Sequence, residues 1–391
     1  MNIKRFFSGY SLSKFDRLKK VINVSPGPGQ INSRVINQIN DSLKNKNLHG
    51  ITPLEISHRS PQFQIIQERT EKNIRRFMKI PEDFSLLWTQ GGGHGQFAAI
   101  PLNLKKIFTN KKPHYIVNGT WSHRSAIEAS KILDINETHS YKNMNPLLYN
   151  TIPKFEINSN TSYVYICSNE TVNGTGHTEN KYPLPNREQL NGAKLVVDMS
   201  SDFGTKIVDW SKIDVAFACS SKNLGTAGSN LLIVKKDILQ ELMYTKAYIP
   251  SILDWNLYET SNSLYNTPAI FNIFVTDLVF QDYIEKYGDI NLLDSINYKK
   301  AFNILKSIEN NPKLELCIKD EKIRSIINIP FWVDNIKKFT QHCYINNLVG
   351  VRTKTPFDWN TMNTKEPLRI SLYNGVTTND CKIIYEILND Y

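Results

Sequence analysis

Two polar residues close apolar runs in the middle of the chain. Asp198 ends KLVVD within KLVVDMSS, and Lys222 follows DVAFACSS in the small-residue stretch ACSSKNLGTAG. Gly225 and Gly228 in that stretch let the backbone pass close to other groups. A third feature, QGGGHGQF from Gln90 to Phe97, places three glycines between a β-rich run and a helix-like one. A carboxylate at one strand end and a lysine at a neighbouring one suit pyridoxal phosphate, the lysine joined to its aldehyde as a Schiff base and the acid paired with its pyridinium nitrogen. At an effective dielectric of about 20, a charge pair near 4 Å gains about 4 kcal/mol. That is worth about three pKa units in favour of the protonated ring. The glycine loop suits an anion, because backbone N–H groups and a helix dipole converge there. It has neither the G-K-[ST] ending of a P-loop nor the G-x-G-x-x-G spacing. A glycine turn with no ligand, and a helix-capping or surface acid at Asp198, are the plain alternatives.

The elements that must position these residues can be read from apolar periodicity. From about residue 85 to 240, short β-rich runs (SLLWTQ, HYIVNG, SYVYICSN, KLVVDMSS, DVAFACSS, NLLIVKK) alternate with amphipathic segments such as GHGQFAAIPLNL and RSAIEASKIL. This alternation predicts an α/β fold, a mostly parallel sheet covered by helices, with ligands where strands end and helices begin. Beyond Pro268 the pattern changes. AIFNIFVTDLVFQDYIEKYG and INYKKAFNILKSIEN read as helices, RSIINIPFWV as a strand, and TTNDCKIIYEILND as a final helix, which together predict a smaller α+β unit.

Composition sets the outer bounds. The 391 residues fit two domains, and 40% hydrophobic with 21% charged residues describes a soluble globular chain. No apolar run approaches the roughly 18–20 residues needed to span a bilayer, so no membrane role is expected. Cys167, Cys219, Cys317, Cys343 and Cys381 are widely spaced with no C-x-x-C pair, which argues against a disulfide framework or a metal site and for a reducing compartment. The net charge of +10 comes from basic residues spread along the chain, with no reader motif, so small anionic substrates are expected rather than nucleic acid. The first twenty residues, MNIKRFFSGYSLSKFDRLKK, form a basic extension with a single acid, Asp16. The expected location is cytoplasmic, with an organelle as the alternative if that extension is a transit peptide.

From Asn23 onward the chain resembles the phosphoserine aminotransferases, fold-type-I pyridoxal-phosphate enzymes of class V. NVSPGPG, LEISHRSPQF, QGGGHGQFAAIPLNL, SNETVNG, VVDMSSD, CSSKNLGTAG, PSILDW, SLYNTP, RSIINIPF and LRISLYN follow in the family's order. The resemblance implies a large cofactor-binding domain over 36–280 with a seven-stranded, mostly parallel sheet, and a smaller α+β domain of 21–35 with 281–391. It implies that Lys222 carries the cofactor and Asp198 meets its ring nitrogen. Trp121 in NGTWSHRSA stacks on the ring, and Thr171 bonds its polar edge. Gly93 and His94 offer N–H groups to the cofactor phosphate, and Ser221 stands beside the lysine. Asn266 and Thr267 reach that phosphate from a neighbouring subunit, so a homodimer with shared sites is implied. His58 and Arg59 match the ligands of the substrate's distal anion, as does Arg352, and Arg369 matches the α-carboxylate arginine. A planar guanidinium meets an oxyanion with two parallel bonds.

Four positions depart from the family. His94 stands where an arginine is usual, Ser221 replaces a glutamine, and Val351 replaces the histidine of a G-H-R triplet. The fourth departure is TKTPFDWNTMNTKEP, 353–367, which separates Arg352 from Arg369 where the family has a few glycine-rich residues. The lost cation and histidine weaken the distal anion grip unless Lys354 or Lys365 compensates. The expected reaction is amino transfer between L-glutamate and 3-phosphohydroxypyruvate. The alternatives are the same cofactor acting on a different amino or keto substrate, and a protein that kept the fold without catalysis.

Overall fold

The computed structural model describes residues 20–46, 48, 50–139, 156–178, 181–245, 248–351 and 367–391. Arg352, Lys354, Lys365 and almost all of the 353–367 insertion lie outside the described residues, as does the basic extension up to residue 19.

A seven-stranded sheet forms the centre, in the order Phe84–Thr89, Asn230–Lys235, Val215–Cys219, Lys194–Asp198, Thr161–Cys167, Lys112–Val117, Asn136–His139. Only Asn230–Lys235 runs antiparallel to its neighbours. The six strands other than Asn136–His139 correspond to the apolar runs of the sequence. Their residues alternate between two cores: Ile116, Val164, Ile166, Leu195, Val197 and Ala216 face one side, while Tyr115, Tyr163, Tyr165, Val196 and Phe217 face the other. Burial on both faces is why these strands read as continuous apolar runs rather than as alternating ones. Asn136–His139 pairs on one side only. Its sequence, NETH, is polar and carries no strand signal.

Helices cover both faces. Pro61–Met78 and Ile270–Tyr287 pack on the first core, and Gly92–Ile107 and Thr120–Ser130 on the second. Pro61–Met78 begins where Ser60 accepts a bond from the Phe63 N–H, with proline in the first turn. Both features are preferred at helix starts.

Described residues from Ala301 onward gather round a third core that also includes Ile22 and Val24. Its three-stranded antiparallel sheet, in the order Leu314–Leu316, Asn328–Val333, Leu368–Ser371, packs with helices Ile290–Asn310, Ile336–Ile345 and Thr378–Asp390. The Ile290–Asn310 helix joins the cores, because Ile290 and Leu293 belong to the first and Ala301, Ile304 and Ile308 to the third. Val351 is buried in this third core.

A buried asparagine network ties this region to the large sheet. Asn374 accepts from Asn297 Nδ2 at 3.0 Å, donates to the Gly204 carbonyl at 2.7 Å, and gives its backbone N–H to Asn223 Oδ1 at 3.0 Å. Beneath it, the buried Lys300 ammonium donates to Asn297 Oδ1 and to the Leu372 and Tyr373 carbonyls. Asn374→Ala would leave the Gly204 carbonyl and one Asn297 donor buried and unpaired. It should therefore destabilise the protein by about 2–4 kcal/mol, read from the urea midpoint. A loss below about 1 kcal/mol would mean that water takes over these bonds.

Candidate active site

The parallel strands end on one edge of the sheet, and the residues that follow them converge there. The chain leaves Lys112–Val117 to form Asn136–His139 on one side, then returns to form Thr161–Cys167 on the other. Such a reversal opens a crevice beyond the carboxyl ends of the two central strands. Gly119 to Trp121 and Ser168 to Thr171 stand at its two lips.

Asp198, the last residue of its strand, is 3% exposed. Its carboxylate accepts from the Ser200 N–H at 2.9 Å and from the Tyr165 hydroxyl at 3.4 Å. Burial pushes its pKa up to about 6, against the pull of the Ser200 bonds. Among the described residues it forms no ion pair.

Lys222 lies one strand further along, after Val215–Cys219. Its ammonium donates to the Pro26 carbonyl and stands 5.6 Å from the centre of the Tyr373 ring, whose hydroxyl meets the same carbonyl at 2.7 Å. Gly27 has φ +137°, and a Cβ there would run into the lysine amine. The NVSPGPG segment thus passes against Lys222 at a point where only glycine fits. Cys219 connects the two charged groups. Burial pushes its thiol pKa up, Asp198 adds to that, and Lys222 opposes it, so both charges act on one sulfur atom.

The glycine loop opens the Gly92–Ile107 helix as the sequence predicts. Gly91 sits at φ +83° with no side-chain cap, so the first amides of the helix are left to other partners. The Gly93 N–H interacts with the Cys219 thiol. A Cβ on Gly95 would lie 2.7 Å from the Gln90 carbonyl, so the loop closes on itself too tightly for a side chain there. His94 is exposed and stands edge-on to Trp121, with ring centres 6.0 Å apart. Arg124, one turn further along, covers the Trp121 ring at 5.0 Å.

Arg369 is 7% exposed. One guanidinium nitrogen donates to the Thr171 carbonyl at 2.7 Å, while its buried Nε has no partner among the described residues. Burial lowers its pKa, and no carboxylate of the described residues pairs with it. Ser221 gives its carbonyl to the Gly29 N–H at 2.8 Å. Asn266 Oδ1 is buried without a partner among the described residues, and the Thr267 carbonyl accepts from Gln90 of the same chain at 2.8 Å. Arg59 is exposed and His58 half-buried, in the turn before Pro61–Met78. No described contact joins either to Lys222 or Asp198.

Two further residues belong to the crevice, of which only Glu170 carries a signal in the sequence. Glu170 is fully buried just after a strand and accepts from the Trp121 N–H at 2.9 Å and the Ser122 N–H at 2.7 Å. An acid closely following an apolar run was the signal used for Asp198, and SNETVNG repeats it. Tyr373 sits in LRISLYN as one more apolar position, and nothing in the spacing links it to a lysine far away in the chain.

These residues fit pyridoxal phosphate: a buried acid with no ion-pair partner among the described residues, a lysine beyond the end of the neighbouring strand, and an uncapped helix end. The fold and this pairing define an enzyme of the pyridoxal-phosphate-dependent aminotransferase type. Residues 21–384 match the family model described as Aminotransferase class-V. A probable phosphoserine aminotransferase of Caenorhabditis elegans is 31% identical, over 95% of this chain and 96% of the relative. The phosphoserine aminotransferase of Drosophila melanogaster is 33% identical, over 91% and 94%. The PLP-bound crystal structure of the Trichomonas vaginalis phosphoserine aminotransferase superposes with a TM-score of 0.82 at 26% identity, covering 94% of this chain and 99% of that one. The chain belongs to the phosphoserine aminotransferase family.

The raised pKa of Asp198 makes a prediction about the cofactor-free protein. A carboxyl whose folded pKa of about 6 exceeds its unfolded value near 3.9 binds more protons folded than unfolded between those values, so its contribution falls as pH rises from about 4 to 6. Asp198→Asn should therefore stabilise the cofactor-free protein at pH 8 by up to about 3 kcal/mol, and less at pH 5. It should weaken cofactor binding at the same time. Urea unfolding at the two pH values checks the sign. Equal or lower stability of the variant at pH 8 would contradict the burial argument.

Proposed function

We propose that the chain transfers an amino group between L-glutamate and 3-phosphohydroxypyruvate, with Lys222 and Asp198 holding pyridoxal phosphate. The observation that carries this reading is the pair of buried charged side chains with no ion-pair partner among the described residues, Asp198 for a cationic ring and Arg369 for a carboxylate. Bound there, the cofactor supplies an electron-accepting ring that makes the donor's Cα–H bond easier to break. Arg369 binds the donor α-carboxylate and aims the Cα at the Lys222 amine. Lys222 Nζ, once free, takes and returns that proton as general base and acid. Trp121 covers the ring and keeps water from it, with Thr171 at the ring's polar edge. Gly93, His94 and Ser221 lie on the phosphate side.

Support for a homodimer comes from exposed apolar side chains on Leu54, Ile65, Ile252 and Tyr265. Two of these flank His58 and Arg59 in sequence, and on this reading those two residues serve a partner's site rather than their own. Asn266 and Thr267 belong to the same shared arrangement, in which the buried Asn266 Oδ1 would gain the partner it lacks among the described residues. Sedimentation should give twice the 45.0 kDa chain mass. The division into 36–280, and 21–35 with 281–391, is part of this reading and is supported by the separate third core.

A second reading keeps the cofactor and changes the substrate. It is favoured by Val351, which lies in the third core where the family's histidine would serve the distal anion. Arg352 completes that anion grip in the first reading.

Turnover of phosphoserine with 2-oxoglutarate, set beside a panel of other amino donors, separates the two. The first reading predicts phosphoserine as the best donor, and failure with it beside fast turnover of another amine would select the second. In either case Arg369→Ala should lower kcat/KM by about 10–150-fold, the worth of a bond to a charged group. A change below twofold would remove Arg369 from the substrate site.

A further inference from the structure

The helix that carries Trp121 starts without a cap of its own. Gly119 precedes Thr120–Ser130 and has no side chain to offer. Its first three amides are instead satisfied from the Ser168–Thr175 segment across the crevice. The Thr120 N–H donates to Asn173 Oδ1 at 2.8 Å. The Trp121 N–H donates to Glu170 Oε2 at 2.9 Å, and the Ser122 N–H to Glu170 Oε1 at 2.7 Å. The Ser122 hydroxyl adds a third bond to the same carboxylate at 2.6 Å.

Glu170 is 0% exposed, and a carboxylate is well placed at a helix N-terminus, where the dipole favours negative charge. The fit is tight. A Cβ at Gly119 would lie 2.6 Å from Glu170 Oε2 and closer still to its Cδ and Cγ. On its other side, Glu170 closes a turn by accepting the Gly174 N–H at 2.8 Å. The next carbonyl, that of Thr171, receives the Arg369 guanidinium at 2.7 Å. Asn169, just before it, is held by Ser201 Oγ at 2.8 Å and Asn328 Oδ1 at 2.7 Å. One short segment therefore grips the Trp121 helix with a side chain and Arg369 with a carbonyl.

We propose that Glu170 is a positioning residue that sets the place of the Trp121 indole and, through the adjoining Thr171 carbonyl, that of Arg369. The cofactor-facing and substrate-facing sides of the site are then fixed by one buried acid. This rests on the reading that Trp121 covers the cofactor ring and Arg369 binds the donor. No described hydrogen bond joins Glu170 itself to Lys222, Asp198 or the Arg369 side chain. A glutamine has the same shape but only one acceptor oxygen, so its amide would face an N–H donor at Trp121 or Ser122. The helix end must then move. A displacement near 1 Å at a reacting centre costs up to about a hundredfold in rate.

The test uses cofactor-loaded wild type, Glu170→Gln and, as a comparison, Asn173→Ala, which removes a bond of the same helix end without touching the Trp121 amide. The readouts are visible circular dichroism of the bound cofactor, which reports its asymmetric surroundings, and the kcat and KM for the amino donor. Glu170→Gln is expected to change the sign or at least halve the intensity of the visible band, with about a tenfold fall in kcat and a rise in donor KM. Asn173→Ala is expected to lower the melting temperature while keeping the band. A Glu170→Gln protein with a wild-type band and donor KM within twofold, altered only in melting temperature, would overturn the proposal and leave Glu170 a helix anchor. If Glu170→Gln does not fold, Glu170→Asp keeps the charge and draws the helix end by one methylene, and the same band decides. A wild-type protein with no visible band would instead overturn the functional reading beneath.

Discussion

The site depends on the desolvation of a single carboxylate at the end of a central strand. Asp198 is held by one N–H and one hydroxyl, with no cation beside it among the described residues. An ionised group in such a place is costly unless a partner of opposite charge joins it. The neighbouring strands fix its depth, because Asp198 pairs in register with Cys167 on one side and Phe217 on the other. The acid cannot withdraw toward water without breaking the sheet. In the proposed function a protonated pyridine ring would supply the missing charge.

Arg369 presents the same situation with the opposite sign. Its place is set by the Leu368–Ser371 strand, whose partner strand, Asn328–Val333, carries Asn328 back to Asn169 in the crevice. The asparagines at 223, 297 and 374 close a second connection between that region and the loop after Lys222. The Lys222 loop, Arg369 and the residues beside Asp198 are thus referenced to one another by buried hydrogen bonds rather than by surface contacts. Such networks specify geometry sharply when every member is satisfied.

How much of this was legible depended on how each residue's environment wrote itself into the sequence. Six strands, the edge strand Phe84–Thr89 among them, were readable because both of their faces are buried, and the helices after Gly91 and Pro268 because their apolar periodicity is long. The edge strand Asn136–His139 was not, since pairing on one side and exposure on the other demand no apolar residues there. Lys222 and Asp198 stood out as charges flanked by apolar or small residues. Glu170 carried a similar signal, but its work is to bind backbone amides of a helix far away in sequence, and no spacing encodes that. Arg59 and His58 belong to a turn with no described contact to Lys222 or Asp198, so their motif alone places them no better than the structure does. Val351 was singled out as a departure in the pocket, and burial in the third core gives the change its physical meaning.

The central claim is that the Lys222 amine carries the cofactor. Borohydride reduction of the cofactor-loaded protein, followed by digestion and mass mapping, reads this directly. The account predicts one stable pyridoxyl adduct, on the peptide containing Lys222 and on no other. An adduct on a different lysine, or a loaded protein that yields no adduct after reduction, would contradict it.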